Sequence, residues 1–261
     1  MTTKEACINI WRECFGDSEE FIDLYFSRRY TDDCTFVSRA EGRIVAASQC
    51  FIYEMTGGIK VGYVSGLATM PEYRGQGHAR LVMQQMHQWL RLQGIAYCTL
   101  IPSGPYAAQW YHTQFGYNYG IRNDKYIVTP EFLSHYTLEH TLTPDALQLI
   151  TADMNRRPYY ILHSPDDLTD QLNTCILSGG GLYTSRAISG ELQEVLFVEY
   201  HDQQPVMLDY FNHTPSLAPG NSPTIPPSTP FDSPISGQAM WVALCDTPPL
   251  PPTARLSLML D

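Results

Sequence analysis

The first half of the chain is patterned by two hydrophobic periodicities, one typical of helices and one typical of strands. Apolar residues recur at helical spacing in two early segments, and shorter apolar runs follow in three later ones. We predict helices over 4–15 and 18–29, and strands over 34–40, 43–55 and 59–69. Asp17 is the predicted N-cap of the second helix, with Glu20 three residues on in the manner of a capping box.

The pattern continues with alternating helices and strands. Val82, Met86 and Leu90 place an apolar face on a helix that starts at Gly77 and stops at Gly94. A strand over 95–101, a helix over 106–115 and a strand over 117–128 complete this half. The order predicts an α/β fold in which helices flank a mixed central sheet.

The second half is less regular, and we expect it to form a smaller α/β lobe over 130–261, after a first domain over 1–129. Ser164 and Pro165 have the composition of a helix start, and 182–187 with 192–200 are expected to form a hairpin. Seven prolines fall within 213–238, a composition typical of a loop without regular structure. Closing strands are predicted over 239–245 and 254–260.

Composition narrows the function. The net charge of −11 argues against nucleic acid and anionic membranes as partners, because binding to phosphates uses clusters of Lys and Arg. The seven cysteines form no C-x-x-C pair and no set with histidines at metal-ligand spacing, so we expect no metal. The start of the sequence does not have the pattern of an export signal, and the expected location is the cytoplasm.

The segment from Val64 to Ala79 is the most informative, because an apolar strand there breaks into a glycine-rich turn before a helix. Gly75 and Gly77 carry no Cβ, so main-chain N–H groups are able to approach a bulky anion at the helix start. Arg74 supplements this positive end. A third glycine at dinucleotide-fold spacing is absent, as is a P-loop Lys-Ser/Thr pair, so the turn predicts a diphosphate site of another kind.

The stretch Leu67-Ala-Thr-Met-Pro-Glu-Tyr-Arg-Gly-Gln-Gly-His-Ala79 resembles the acyl-CoA signature of the GNAT N-acyltransferase superfamily. The family's core pattern is Arg/Gln-x-x-Gly-x-Gly/Ala. The resemblance implies acetyl-CoA as co-substrate and an amine of a small molecule or peptide as acceptor, joined by direct transfer in a ternary complex. It also implies that CoA is bound by Leu67, Ala68, Thr69, Arg74, Gly75, Gln76, Gly77, His78 and Ala79.

The resemblance is weaker at the catalytic acid. Members usually have a tyrosine four residues before the glycine of a Tyr-x-x-x-Gly-Phe pattern, and His112 holds that position here, with Tyr111 one residue early. We predict that His112 protonates the departing thiolate, since imidazole titrates near neutrality. The alternative is that His112 is a surface residue of the helix. Tyr111 is either a second candidate acid or a core residue.

Two carboxylates are candidate general bases. Glu54 lies near the end of a predicted central strand, where members often place a carboxylate, and the alternative is a solvated edge residue. The order of elements and the Leu-Met-Leu-Asp ending also resemble the two-lobed branch that includes the enhanced-intracellular-survival (Eis) aminoglycoside acetyltransferases. That branch implies a second candidate, the terminal carboxylate of Asp261.

Two other functions are alternatives to acetyl transfer from acetyl-CoA. An acyl-CoA-binding sensor or interaction protein without activity is favoured by the missing tyrosine. An aminoacyl-tRNA-dependent transferase built from two lobes is disfavoured by the acidic charge and by the intact positions Arg74, Gly77 and Ala79. The pattern gives no indication of the oligomeric state.

Overall fold

The computed structural model describes residues 1–213, 235–251 and 254–257, and it has a mixed α/β fold. The helices are α1 Thr3–Phe15, α2 Glu19–Arg28, α3 His78–Leu92, α4 Pro105–Phe115, α5 Pro130–Leu133, α6 Pro144–Arg156 and α7 Pro165–Leu177. The strands are β1 Thr35–Ala40, β2 Arg43–Met55, β3 Ile59–Thr69, β4 Tyr97–Leu100, β5 Asn118–Ile127, β6 Thr137–Glu139, β7 Ile161–Leu162, β8 Gly181–Arg186, β9 Leu192–His201, β10 Gln204–Asn212 and β11 Ile235–Ala243. None of the described helices is long and apolar enough to span a bilayer.

The predicted order of elements in the first half is confirmed, with one error at a helix start. Ser18, rather than Asp17, is the N-cap of α2, and its hydroxyl accepts the N–H of Phe21 at 3.2 Å. Asp17 instead accepts the indole N–H of Trp11 at 2.7 Å. Either residue type is able to cap a helix, so local sequence alone did not decide between them.

In the second half the predicted helix at Ser164 and the hairpin of β8 and β9 are confirmed. Helix α6 and strand β10 were not predicted. The Thr143-Pro144 start and the spacing of Ala146, Leu149 and Ile150 are a readable signal for α6. Strand β10 follows a two-residue turn in which Asp202 and Gln203 both have positive φ, a conformation that usually requires glycine or asparagine.

The strands form one continuous sheet in the order β1-β2-β3-β4-β11-β5-β10-β9-β8-β6, and β7 pairs with β2. Strand β11 lies between β4 and β5, so a segment from near the end of the chain completes the sheet of the first half. It begins at Ile235 and ends at Ala243, whereas the prediction was a loop up to 238 and a strand over 239–245. The remainder of the predicted proline-rich loop, 214–234, lies outside the described residues.

The predicted strand over 254–260 is wrong within its described part. Over 254–257 the structure has only a parallel bridge between Arg255 and Tyr160. The three residues that complete the predicted strand lie outside the described part of the chain.

The two faces of the sheet carry different elements in the first half. Helices α1 and α2 pack on one face, where Trp11, Ile22 and Tyr25 are buried against Ala47 and Ala68. Helices α3 and α4 cover the other face, where Val82 and Met86 pack with Val64. In the second half, α6 and α7 cover the sheet beside β8, β9 and β10. The sheet of the first half therefore has two distinct sides, one covered by α1 and α2 and the other by α3 and α4.

Candidate active site

The glycine-rich turn forms the start of α3, as predicted. Gly75 and Gly77 have φ of 76° and 89°, values that a side chain opposes, and Gly77 is the N-cap. No side chain caps this helix start, and no acidic residue lies in its first turn. Helices α1, α2 and α7, in contrast, each have a capping side chain and at least one acidic residue in the first turn. The first main-chain N–H groups of α3 and the positive end of its dipole are therefore placed to bind an anion.

Side chains around this turn form hydrogen bonds with nearby segments of the same chain. Arg74 donates from Nε to the carbonyl oxygen of Thr69 at 3.1 Å, and its side chain is exposed. Nδ1 of His78 lies 2.9 Å from the hydroxyl oxygen of Ser38 on β1. Gln76 donates to the carbonyl oxygen of Glu72 at 3.1 Å. The turn thus presents its backbone and the Arg74 guanidinium at one end of β3.

A bulge in β3 changes the course of the strand before it reaches the turn. Ser65 is paired with Gln49 and Ala68 with Ala47, so two residues of β3, Gly66 and Leu67, face one residue of β2. Gly66 has φ of 62°. A bulge of this kind bends its strand and increases the local twist.

The bulge coincides with an opening in the sheet. Strand β3 pairs in parallel with β4 only from Val61 to Tyr63, and Tyr63 is opposite Thr99. From Val64 to Thr69 the strand pairs with β2 alone among the described strands. Strand β4 ends at Leu100, one residue past Thr99. The edge of β3 from Val64 to Thr69 is therefore open beside the end of β4 among the described strands, and we call this opening, which runs from Tyr63 toward the turn, the V. The main chain of Leu67, Ala68 and Thr69 lines one side of the V.

His112 lies at the C-terminal end of α4 and is exposed. Its Nδ1 is 2.8 Å from the main-chain carbonyl oxygen of Tyr117. Because a carbonyl only accepts, Nδ1 carries the proton of this bond, and Nε2 is the atom left to gain and lose a proton. The geometry gives His112 a fixed ring orientation, which a general acid needs.

Tyr111 has a different environment. Its side chain is buried under α3 in the same cluster as Tyr117, and their ring centroids are 5.7 Å apart. Burial raises the pKa of Tyr111 well above its usual range, and the electrostatic effect of Cys98 adds to this. The sequence left two alternatives for Tyr111, a second candidate acid and a core residue. Its position in the structure is that of a core residue, and burial opposes loss of the phenolic proton.

The structure describes one of the two predicted bases, Glu54. Glu54 is exposed on β2 opposite Lys60, and Leu162 of β7 is its partner on the other edge. Along β2 it lies three residues beyond Phe51, which is the partner of Tyr63. Asp261 lies outside the described residues.

Comparison with known proteins identifies this arrangement. The sequence model of an acetyltransferase (GNAT) domain matches residues 2–120, which span α1 to the start of β5. The matched segment contains the glycine-rich turn, the V and His112. This part of the chain is a GNAT acetyltransferase domain. The family that this segment matches is one of acetyltransferases.

Solved structures extend the similarity beyond the GNAT domain. A GCN5-related N-acetyltransferase from Anabaena variabilis superimposes with a TM-score of 0.66 at 15% identity, covering 92% of this chain and 70% of that one. A probable N-acyltransferase from Enterococcus faecalis gives 0.64 at 12% identity, with 92% and 70% coverage. No curated protein matches the sequence.

A third structure belongs to the branch suggested by the sequence. Eis1 from Mycobacterium abscessus gives a TM-score of 0.54 at 11% identity, covering 80% of this chain and 56% of that one. At such identities the likeness shows the fold alone. That fold includes most of the second half of the chain.

Sequence reasoning missed Gly66, the residue at which β3 bends. An isolated glycine inside a strand pattern is a recognised signal for a bulge. The signal was present between Ser65 and Leu67, within an otherwise continuous apolar run. The position of the bulge was therefore predictable from the sequence.

Proposed function

We propose that the protein is an N-acetyltransferase that transfers the acetyl group of acetyl-CoA to a primary amine of a small molecule or peptide. The observation that carries this proposal is the continuity of two features: the open edge of β3 leads directly into the uncapped, acid-free start of α3. A ligand that fits both has an extended amide-containing arm and a diphosphate, which is the constitution of CoA.

The GNAT domain has hydrogen-bonding groups suited to each part of CoA. The N–H groups that follow Gly77 would bind the diphosphate, with Arg74 beside them. The backbone of Leu67, Ala68 and Thr69 would pair with the amides of the pantetheine arm, as an added strand does. The buried hydroxyl oxygen of Thr69 has no hydrogen-bond partner within the described ranges of the chain, which is consistent with a ligand at this edge.

The reaction needs one bond made and one broken. The neutral amine attacks the thioester carbonyl carbon, the C–N bond forms, and the C–S bond breaks with its electrons on sulfur. The amine loses a proton and the thiolate gains one. We propose His112 as the donor to sulfur, from Nε2. Nδ1 keeps its bond to the Tyr117 carbonyl throughout, so the ring does not have to reorient.

We also propose which residues act as the general base and how the second half of the chain contributes. Glu54 and the Asp261 carboxylate are the candidate bases. The proposed catalytic domain is 1–129, with 130–261 as a second lobe that contributes β11 to its sheet. An ion pair of 2.7 Å from Arg28 of α2 to Asp170 of α7 also joins the two parts.

Release of CoA thiol from acetyl-CoA, measured with a panel of primary amines, tests the proposal. Calorimetric titration with acetyl-CoA is run beside it. Binding together with amine-dependent thiol release supports an acetyltransferase. Binding without release from any amine supports instead the sensor or interaction protein, the second function that the departure at His112 favours.

A further inference from the structure

We propose that the hydroxyl of Tyr63 contacts the acceptor amine by accepting a hydrogen bond from its N–H group. The inference rests on the proposed function, since it assigns a residue to the acceptor side of the same site. It comes from a buried hydroxyl that has no hydrogen-bond partner in the described part of the chain.

Tyr63 stands at the apex of the V. It is the last residue of β3 that pairs with β4, and from Val64 onward the two strands are not paired. The six residue-to-residue steps from Thr69 back to Tyr63 span about 20 Å of extended chain. An arm that follows the open edge of β3 from the turn toward its interior ends near this apex, so the acyl group would lie close to Tyr63.

The side chain of Tyr63 lies on the α1/α2 side of the sheet. Successive residues of a strand point to opposite faces. Val64 packs with α3, whereas Ser65 meets α2, where its hydroxyl is 2.8 Å from that of Tyr25. Tyr63 therefore shares the side of Ser65. The diphosphate site is at α3 on the other side, so Tyr63 would meet a reactant that approaches from the α1/α2 side, and that reactant is the amine.

The hydroxyl of Tyr63 is a buried polar group without a hydrogen-bond partner. The residue is 1% exposed, and its hydroxyl oxygen has no partner among the residues that the structure describes. Burial without a partner is unfavourable, and native structures rarely leave such groups unsatisfied. Two neighbouring tyrosines are satisfied: Tyr25 by Ser65, and Tyr97 by the carbonyl oxygen of Pro248 at 2.6 Å. The contrast with Tyr97 sets Tyr63 apart within one buried cluster.

A substrate amine would satisfy this hydroxyl. A phenolic oxygen both donates and accepts, and a neutral amine in position to attack has N–H groups to offer. Tyr63 would fix the direction of the amine without taking its proton, which leaves base catalysis to another group. The role is positioning through direct contact with the acceptor.

The test compares Tyr63→Phe with Tyr97→Phe in the full chain. Tyr97 belongs to the same buried cluster, and its hydroxyl has a protein partner. The measurements are the midpoint of thermal unfolding without substrate, the KM for acetyl-CoA, and kcat and KM for the amine of the panel that reacts fastest with the wild type.

We expect Tyr63→Phe to unfold at the same temperature as the wild type or higher, because the Tyr63 hydroxyl makes no hydrogen bond to any described residue. Its kcat/KM for the amine should fall roughly three- to tenfold, with the KM for acetyl-CoA unchanged. Tyr97→Phe should unfold at a lower temperature and keep the wild-type kcat/KM.

Two results would overturn the inference alone: an unchanged kcat/KM for the amine in Tyr63→Phe, or a clear loss of thermal stability in that variant. A wild-type protein that transfers acetyl groups to no amine overturns the proposed function, and this inference with it. The two failures are therefore distinguishable.

Discussion

A carbon atom placed at the Cβ position of Gly66 would lie 2.2 Å from Cζ3 of Trp11. The indole of α1 thus occupies the space in which any other residue would carry its side chain. Since Gly66 is also the left-handed residue of the bulge, this contact connects the packing of α1 to the opening between β3 and β4.

We predict that Gly66→Ala destabilises the protein by about 2–4 kcal/mol, from left-handed strain together with the clash at Trp11. Urea unfolding measures this loss. Gly16→Ala is the matched control, because Gly16 has φ of 75° with nothing within 4 Å of an added Cβ. It should lose only the strain, about 1 kcal/mol. Equal losses in the two variants would show that Trp11 does not constrain β3.

The second prediction concerns the anion site at α3. Gly77→Ala strains the N-cap, moves the first N–H groups of the helix, and should weaken acetyl-CoA binding about tenfold or more. Gly94→Ala at the other end of α3 has the same kind of strain, with φ of 71° and open space around an added Cβ. It should lose stability and keep its affinity. Calorimetry that finds the two variants equal in affinity would remove the turn from the CoA site.

The third prediction separates the two nitrogen atoms of His112. In His112→Asn the amide N–H is able to donate to the Tyr117 carbonyl in place of Nδ1, but no group replaces Nε2. We therefore expect kcat to fall about 10²–10⁴-fold in both His112→Ala and His112→Asn, with the Kd of acetyl-CoA unchanged. The pH dependence of kcat should also change. A wild-type rate and pH profile in His112→Asn would show that His112 only anchors the end of α4.

The fourth prediction concerns a buried ionic cluster in the second lobe. Arg157 donates to Asp209 and to Asp153, each at 2.8 Å, and Asp209 also accepts the hydroxyl of Ser257 at 2.5 Å. Burial raises the pKa of Asp209, but the attraction of Arg157 and the hydrogen bonds outweigh it, so the net shift is downward. Arg157→Leu should cost about 3–5 kcal/mol, because it leaves buried carboxylates unpaired.

The sign of the pH effect follows from that lowered pKa. A carboxyl whose pKa is lower in the folded state stabilises the protein above its unfolded pKa, about 3.9, and the contribution is lost as pH falls below it. Unfolding free energy measured from pH 6 to pH 3 should drop more steeply in the wild type than in Asp209→Asn. Parallel curves would contradict the assignment.

Local patterns predicted the first half of the fold because its elements pair with near neighbours in the chain. Strands β1, β2 and β3 follow one another in the chain, and the residues Arg74, Gly75 and Gly77 predict the turn after β3. Strand β11 was predicted in part, but not its place between β4 and β5, since that pairing joins segments over 100 residues apart. Nothing local in a sequence specifies such a register.

The candidate site was predictable in the same uneven way. The CoA-binding residues follow from one continuous motif, and His112 follows from its spacing to Gly116. Tyr63 gives no such signal, because an aromatic residue in a strand is ordinarily a core residue. Only the three-dimensional packing, in which its hydroxyl is buried and unpaired at the apex of the V, sets it apart.

Release of CoA thiol from acetyl-CoA, followed with and without each amine of the panel, tests the central claim most directly. We predict release that requires an amine, saturates with it, and yields the acetylated amine in equal amount. Acetyl-CoA that binds at the turn of Gly75 and Gly77 but releases no thiol with any amine would contradict an acetyltransferase and leave an acyl-CoA-binding protein.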